Sequence, residues 1–109
     1  MAKTRSIPLT AQWALAARLE RHAATEWKEQ CRAVTVRFRG SFAYVDAVGS
    51  DGSPVHLCRL GYLGSRDRWE FAFYKYSSEK YERSFTLAGS FTATPEEAFD
   101  TSAFAYLQG

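Results

Sequence analysis

The chain has 109 residues, 46% hydrophobic and 16% aromatic, with 14 Lys and Arg against 12 Asp and Glu for a formal charge of +2. So much apolar and ring-bearing side chain excludes a disordered chain of low hydrophobicity, and the length suits one domain with a modest core. The near-balanced charge excludes a nucleic-acid reading that rests on bulk positive charge alone.

No run approaches the ~20 apolar residues of a bilayer-crossing helix. The opening MAKTRSIPLT has no apolar core of a secretory leader, so the default expectation is a cytoplasmic address with no membrane partner. Cys31 and Cys58 lack a C-x-x-C spacing, which signals neither a zinc knuckle nor a disulfide-dense scaffold. They are expected as buried thiols, and whether they pair depends on geometry that spacing does not reveal. Lys3, Arg5, Arg18, Arg21, Lys28, Arg32, Arg37 and Arg39 make the first third basic, while Glu96, Glu97 and Asp100 make the end acidic.

Residues 1–9 read as a flexible or extended arm and 10–109 as a single domain. Thr10 is placed to cap a helix, and TAQWALAARLERHAATEWKEQC keeps Trp13, Ala16, Leu19, Ala23, Trp27 and Cys31 at spacings of three or four. This predicts an amphipathic helix whose tryptophans pack on a sheet, with Arg18, Arg21, Glu26 and Glu29 on the opposite face.

From Arg32 the period becomes two. Val34, Val36 and Phe38 alternate with Thr35, Arg37 and Arg39, predicting a half-buried first strand. Gly40 permits a bend into FAYVDAV, which sets Phe42 and Tyr44 against Ala43, Val45 and Ala47. GSDGSP reads as a hairpin loop, with Pro54 at the start of the next strand. VHLCRL is the third strand, in which simple alternation sets His56 and Cys58 on one face. WEFAFYKY is the fourth, with Trp69, Phe71 and Phe73 opposite Glu70, Tyr74 and Tyr76. SSEK turns the chain into YERSFTL, whose Tyr81, Arg83, Phe85 and Leu87 share a face until Ala88–Ser90 ends or bulges it, and Phe91 and Thr92 suit a further short strand. Thr94, Pro95 and Glu97 form a capping-box signal for a short final helix burying Ala98, Phe99, Ala103, Tyr106 and Leu107, although AFAYL also suits a strand.

Together these predict a two-layer α+β domain: an antiparallel meander of four to six strands, packed on one face by an N-terminal and a short C-terminal helix.

Motifs for phosphate loops, dinucleotide binding, zincins and hydrolase elbows do not occur in the sequence. No cofactor or metal is therefore expected. His56 with Cys58 supplies two reactive groups, but no third group orients them, so the main expectation is a non-catalytic protein-interaction or self-association module, such as a homodimer, built on the two-sided aromatic strands. An alternative is single-stranded nucleic-acid binding, with Arg37, Arg39, Arg59, Arg66, Arg68 and Lys75 meeting phosphates and Tyr44, Tyr74 or Tyr76 stacking on bases. Arg37, Arg39, Arg59, Tyr74 and Tyr76 are the candidate partner-binding set. Parity places Lys75 with Trp69, Phe71 and Phe73, which would split the basic groups across two faces. A further alternative is a small-molecule pocket, or an unfamiliar enzyme using His56, with Tyr44 and His56 as orienting groups.

Overall fold

The computed structural model describes residues 6–107; residues 1–5 of the expected arm and residues 108–109 lie outside them. Helix α1 (Leu9–Glu26) leads into strands β1 (Cys31–Arg39), β2 (Phe42–Gly49), β3 (Pro54–Tyr62), β4 (Trp69–Lys75), β5 (Lys80–Arg83) and β6 (Thr92–Ala93), and the chain closes with helix α2 (Pro95–Tyr106). The expected two-layer α+β architecture is borne out. Strands β1 to β5 pair antiparallel in chain order, and the helices share one face, with α1 over β1, α2 over β3 and β4, and the two helices touching each other. Among the described residues, no helix is long and apolar enough to cross a membrane.

The buried stripe of α1 is Ala11, Leu15, Leu19 and Ala23, continued by Trp27 and Cys31 just past its end. Trp13 does not belong to it: contrary to the expected packing of both tryptophans, Trp13 is 67% exposed. The spacing argument fails because two successive steps of three turn the stripe back, leaving Trp13 about 120° around the helix from Leu19. The helix also starts earlier than expected. Pro8 occupies the N-cap without a side-chain cap, and Thr10 lies inside the first turn.

At α2 the local signal is realised in full. The Thr94 Oγ1 accepts from the Glu97 N–H at 3.2 Å, the Glu97 carboxylate accepts from the Thr94 N–H at 3.1 Å, and Pro95 fills the first helical position. With this start fixed, AFAYL continues as helix and buries Ala98, Phe99 and Ala103 completely. The helices are tied by Asp100, which accepts from His22 Nε2 at 2.7 Å and Trp27 Nε1 at 2.9 Å. Arg18 adds a second tie, donating to Glu96 at 2.7 and 3.0 Å and to Asp67 at 2.9 Å. Burial alone would raise the Glu96 carboxyl, but the Arg18 hydrogen bond and charge outweigh it and hold the group below its ordinary value.

Two departures from simple alternation shape the sheet. Between β2 and β3 the register shifts, so that Val45 faces Cys58 while Asp46 faces His56. This β-bulge turns both Leu57 and Cys58 into the core, and His56 emerges on the opposite face. The expectation that His56 and Cys58 share a face is therefore overturned. Cys58 is fully enclosed and burial pushes its thiol up to about 12; it and Cys31 are free cysteines.

The second departure is that β5 stops at Arg83 instead of continuing to Leu87. Its partner edge on β4 is taken over by β6, which pairs with Trp69 and Glu70, whereas β5 holds Ala72 to Lys75. Without an edge to pair with, Ser84–Ser90 is irregular, and Phe85 and Leu87 are exposed.

Candidate functional site: the open sheet face

Helices cover the face bearing Ala43, Val45, Leu60, Trp69 and Phe71, so every residue of opposite parity is left on an uncovered face. Pairing registers show how that face is built. Arg37 stands opposite Tyr44, Tyr44 opposite Arg59, Arg59 opposite Ala72 and Ala72 opposite Arg83, forming one row across the five strands of the meander. At the usual inter-strand spacing this row is about 19 Å long. A neighbouring row runs Arg39, Phe42, Gly61, Glu70. On the other side, Asp46 faces Thr35 and His56, while Tyr74 faces Tyr81.

Glycine at position 61 relieves a tight contact. A Cβ there would lie 3.1 Å from the Cβ of Glu70 and 3.5 Å from the Phe42 ring, so its absence lets those two side chains close over the strand.

The rings on this face hold one another in place. Tyr44 and Tyr74 each meet Tyr81 edge-on, at centroid distances of 5.2 and 4.9 Å, and Phe42 lies 6.4 Å from Tyr44. Arginines lie over them: Arg59 is 4.2 Å from the Phe42 centroid and 5.8 Å from that of Tyr81, and Arg37 is 5.4 Å from Tyr44, while Arg83, on the edge strand, lies 4.8 Å from Phe91, which stacks on Phe85 beyond the end of that strand. Tyr76, just past β4, accepts the His56 backbone N–H at 2.7 Å and packs against both Tyr74 and Tyr106.

A polar group sits among the rings. Asp46, whose side chain is 18% exposed, accepts from His56 Nδ1 at 2.9 Å and from Arg37 at 3.2 Å. The Tyr74 ring lies 4.8 Å from the imidazole. Burial, with the negative charge of Asp46 adding to it against the opposing pull of Arg37, pushes the Tyr81 hydroxyl up to about 12. Tyr81 is therefore a neutral hydrogen-bonding group at any physiological pH. A carboxylate holding one imidazole nitrogen fixes the ring's orientation, which leaves Nε2 as the nitrogen available to a ligand.

All of the candidate residues Arg37, Arg39, Arg59, Tyr44, His56 and Tyr74 come together on this face, with Tyr76 at its margin. Arg68 and Lys75 do not join them. Arg68 reaches Thr92 and Glu97 beside α2, and Lys75 lies 3.6 Å from Glu82 on the helix-side parity. The reading from sequence missed Asp46, Tyr81 and Arg83 as members of the site. Tyr81 and Arg83 share parity in YERSF, but only the β4–β5 register brings them to Tyr74 and Ala72.

The fold and this face define a small α+β domain with one helix-covered sheet surface and one open, arginine- and tyrosine-rich surface. No family model, curated protein or solved structure matches the chain. Among the described residues, no group of three or more His, Cys, Asp or Glu side chains is gathered to hold a metal ion.

Proposed function

We propose that the open sheet face binds single-stranded nucleic acid. The observation that carries this reading is the cross-strand row Arg37–Tyr44–Arg59–Ala72–Arg83, flanked by Phe42 on one side and by Tyr74 and Tyr81 on the other. Single strands are held by basic side chains that follow the phosphates and by rings on which unpaired bases stack. A sheet offers both on one surface because alternate residues of adjacent strands share a face. Mutual packing of the rings lowers the side-chain entropy lost on binding, and the neutral Tyr81 hydroxyl is a donor or acceptor for a base edge.

The test is fluorescence anisotropy with a labelled pyrimidine single strand of about ten nucleotides, against a duplex of the same sequence. Saturable single-strand binding, weaker for the duplex and weakened in Arg37→Ala/Arg39→Ala with an unchanged circular dichroism spectrum, is the expected result. Equal binding by the folded double variant rejects the role of the arginine pair, and equal binding of the duplex rejects single-strand recognition.

Self-association is a second reading, and a separate observation favours it. Leu9 and Trp13 are 61% and 67% exposed one turn apart on α1, away from the face that binds the strand in the first reading.

A further inference from the structure

We infer that this chain forms a two-fold dimer by pairing β1 with β1 of a second copy, with Trp13 of each protomer seated in a groove of the other. The inference rests on the self-association reading and gives it a surface and a partner.

Strand β1 is the terminal strand of the sheet and pairs only with β2, so its outer edge presents unpaired backbone groups. Edges of this kind are often blunted by a bulge. Here the irregularity lies between Cys31 and Ala33, and it leaves Ala33–Arg39 regular. This regular segment is centred on Val36. Antiparallel self-pairing about Val36 sets Val36 against its own counterpart and Val34 against Phe38 on the helix side. On the open side it sets Arg37 against Thr35 and Arg39 against Ala33, so no arginine faces another arginine across the seam. A second copy thus covers the apolar positions of the edge without opposing arginine to arginine, and Val34, Val36 and Phe38, half-buried in one copy, gain the cover they lack.

The helix flank supplies the second half of the argument. A groove of about 240 Å³ lies between α1 and β1, lined by Ala23, Ala24, Cys31 and Val34 with Glu20 and Arg32 also contributing. Its height along the edge follows from the chain. The Cys31 N–H donates to the Trp27 carbonyl at 2.8 Å, which sets the base of β1 level with the end of α1. Trp13 lies about 21 Å back along the helix, a distance that the returning strand covers in about six residues, to Arg37 or Phe38. Under pairing about Val36, that level in one copy meets Thr35 or Val34 in the other, beside the partner copy's groove. The occupant suits the cavity: small apolar walls receive an indole, and the Glu20 carboxylate is an acceptor for its N–H. The same contact explains why a tryptophan stands two-thirds exposed on an otherwise alanine-rich helix.

The experiment is sedimentation equilibrium of the full chain without nucleic acid, from about 5 to about 500 µM, on the wild type and on Trp13→Glu, alongside mild oxidation of Val36→Cys. The expected results are a concentration-dependent dimer, a dissociation constant at least about tenfold higher in Trp13→Glu with unchanged melting of the monomer, and a covalent dimer of Val36→Cys that the wild type, with its cysteines buried, does not form. A wild type that stays monomeric throughout overturns both the inference and the self-association reading. A dimer that is insensitive to Trp13→Glu, or that gives no Val36→Cys cross-link, overturns the inference alone and leaves self-association through another surface.

Discussion

If phosphates are met by the open face, removing arginines should change the salt dependence of binding by an amount the structure sets. Among the described residues, Arg39, Arg59 and Arg83 have no carboxylate within ion-pair distance, whereas Arg37 is engaged by Asp46 at 3.2 Å. Three free cations on a single strand give a slope of log affinity against log salt of about −2.1, and binding falls about 18-fold between 50 and 200 mM salt. Replacing Arg39 and Arg59 with alanine leaves one of these cations, so the slope becomes about −0.7 and the same salt step weakens binding only about threefold. Anisotropy titrations at four salt concentrations measure both slopes. The slope is more informative than a single affinity, because Arg59→Ala also removes the cation lying 4.2 Å over Phe42 and so alters stacking at every salt concentration. Equal slopes in the folded variant and the wild type would refute phosphate contact by this face. A wild-type slope near −2.8 would mean that Arg37 leaves Asp46 to meet a fourth phosphate.

Three further outcomes concern stability and titration. Thr94→Ala removes the acceptor for the Glu97 N–H and should cost about 1 kcal/mol in denaturant unfolding; an unchanged midpoint would show that the capping box does not set the start of α2. Phe99→Ala opens a cavity at a fully buried position and should cost about 3–5 kcal/mol, whereas Phe104→Ala, at a side chain 48% exposed, should cost much less; similar losses would contradict the packing of α2. The raised Tyr81 group favours its neutral form in the folded state, so its contribution to stability is complete below the ordinary tyrosine value near 10 and is lost as pH rises through about 12. Absorbance titration at 295 nm should therefore show a late tyrosine that disappears in Tyr81→Phe, and its persistence would place the late group elsewhere.

Most of the layer arrangement was legible in the sequence because the residues that specify it act over short range. Thr94, Pro95 and Glu97 form a reciprocal hydrogen-bonded unit within one helical turn, and that unit appears as expected. The alternation through Val34–Arg39 and Phe42–Ala47 likewise assigns faces without knowledge of strand order, because a pleat reverses direction at each residue. The misplaced elements are those in which a partner decides. Whether YERSF continues as strand depends on which segment occupies the outer edge of β4, and β6, distant in sequence, takes part of it. Trp13 was misplaced for a geometric reason: chained spacings of three and four accumulate a rotation, so a stripe must be checked against the helical angle over its full length.

The site was half legible for the same reasons. Arg37, Arg39 and Tyr44 could be placed on a common face by parity and one tight turn, whereas the position of His56 required the β-bulge. That single extra residue has chemical consequences. Without it, alternation would keep His56 and Cys58 together; with it, the thiol is sealed in the core, its ionisation suppressed by burial, and the imidazole is delivered to Asp46 beside Tyr74. The bulge thus separates a buried thiol from an exposed imidazole and delivers that imidazole to a face that the other registers already furnish with Asp46, Arg37 and the neutral Tyr81 phenol. A sheet with unbroken register would present the same arginines, rings and carboxylate but would lack the imidazole that Asp46 holds. On the proposed reading, this centre, and not the charge of the chain, would let the face distinguish one base edge from another.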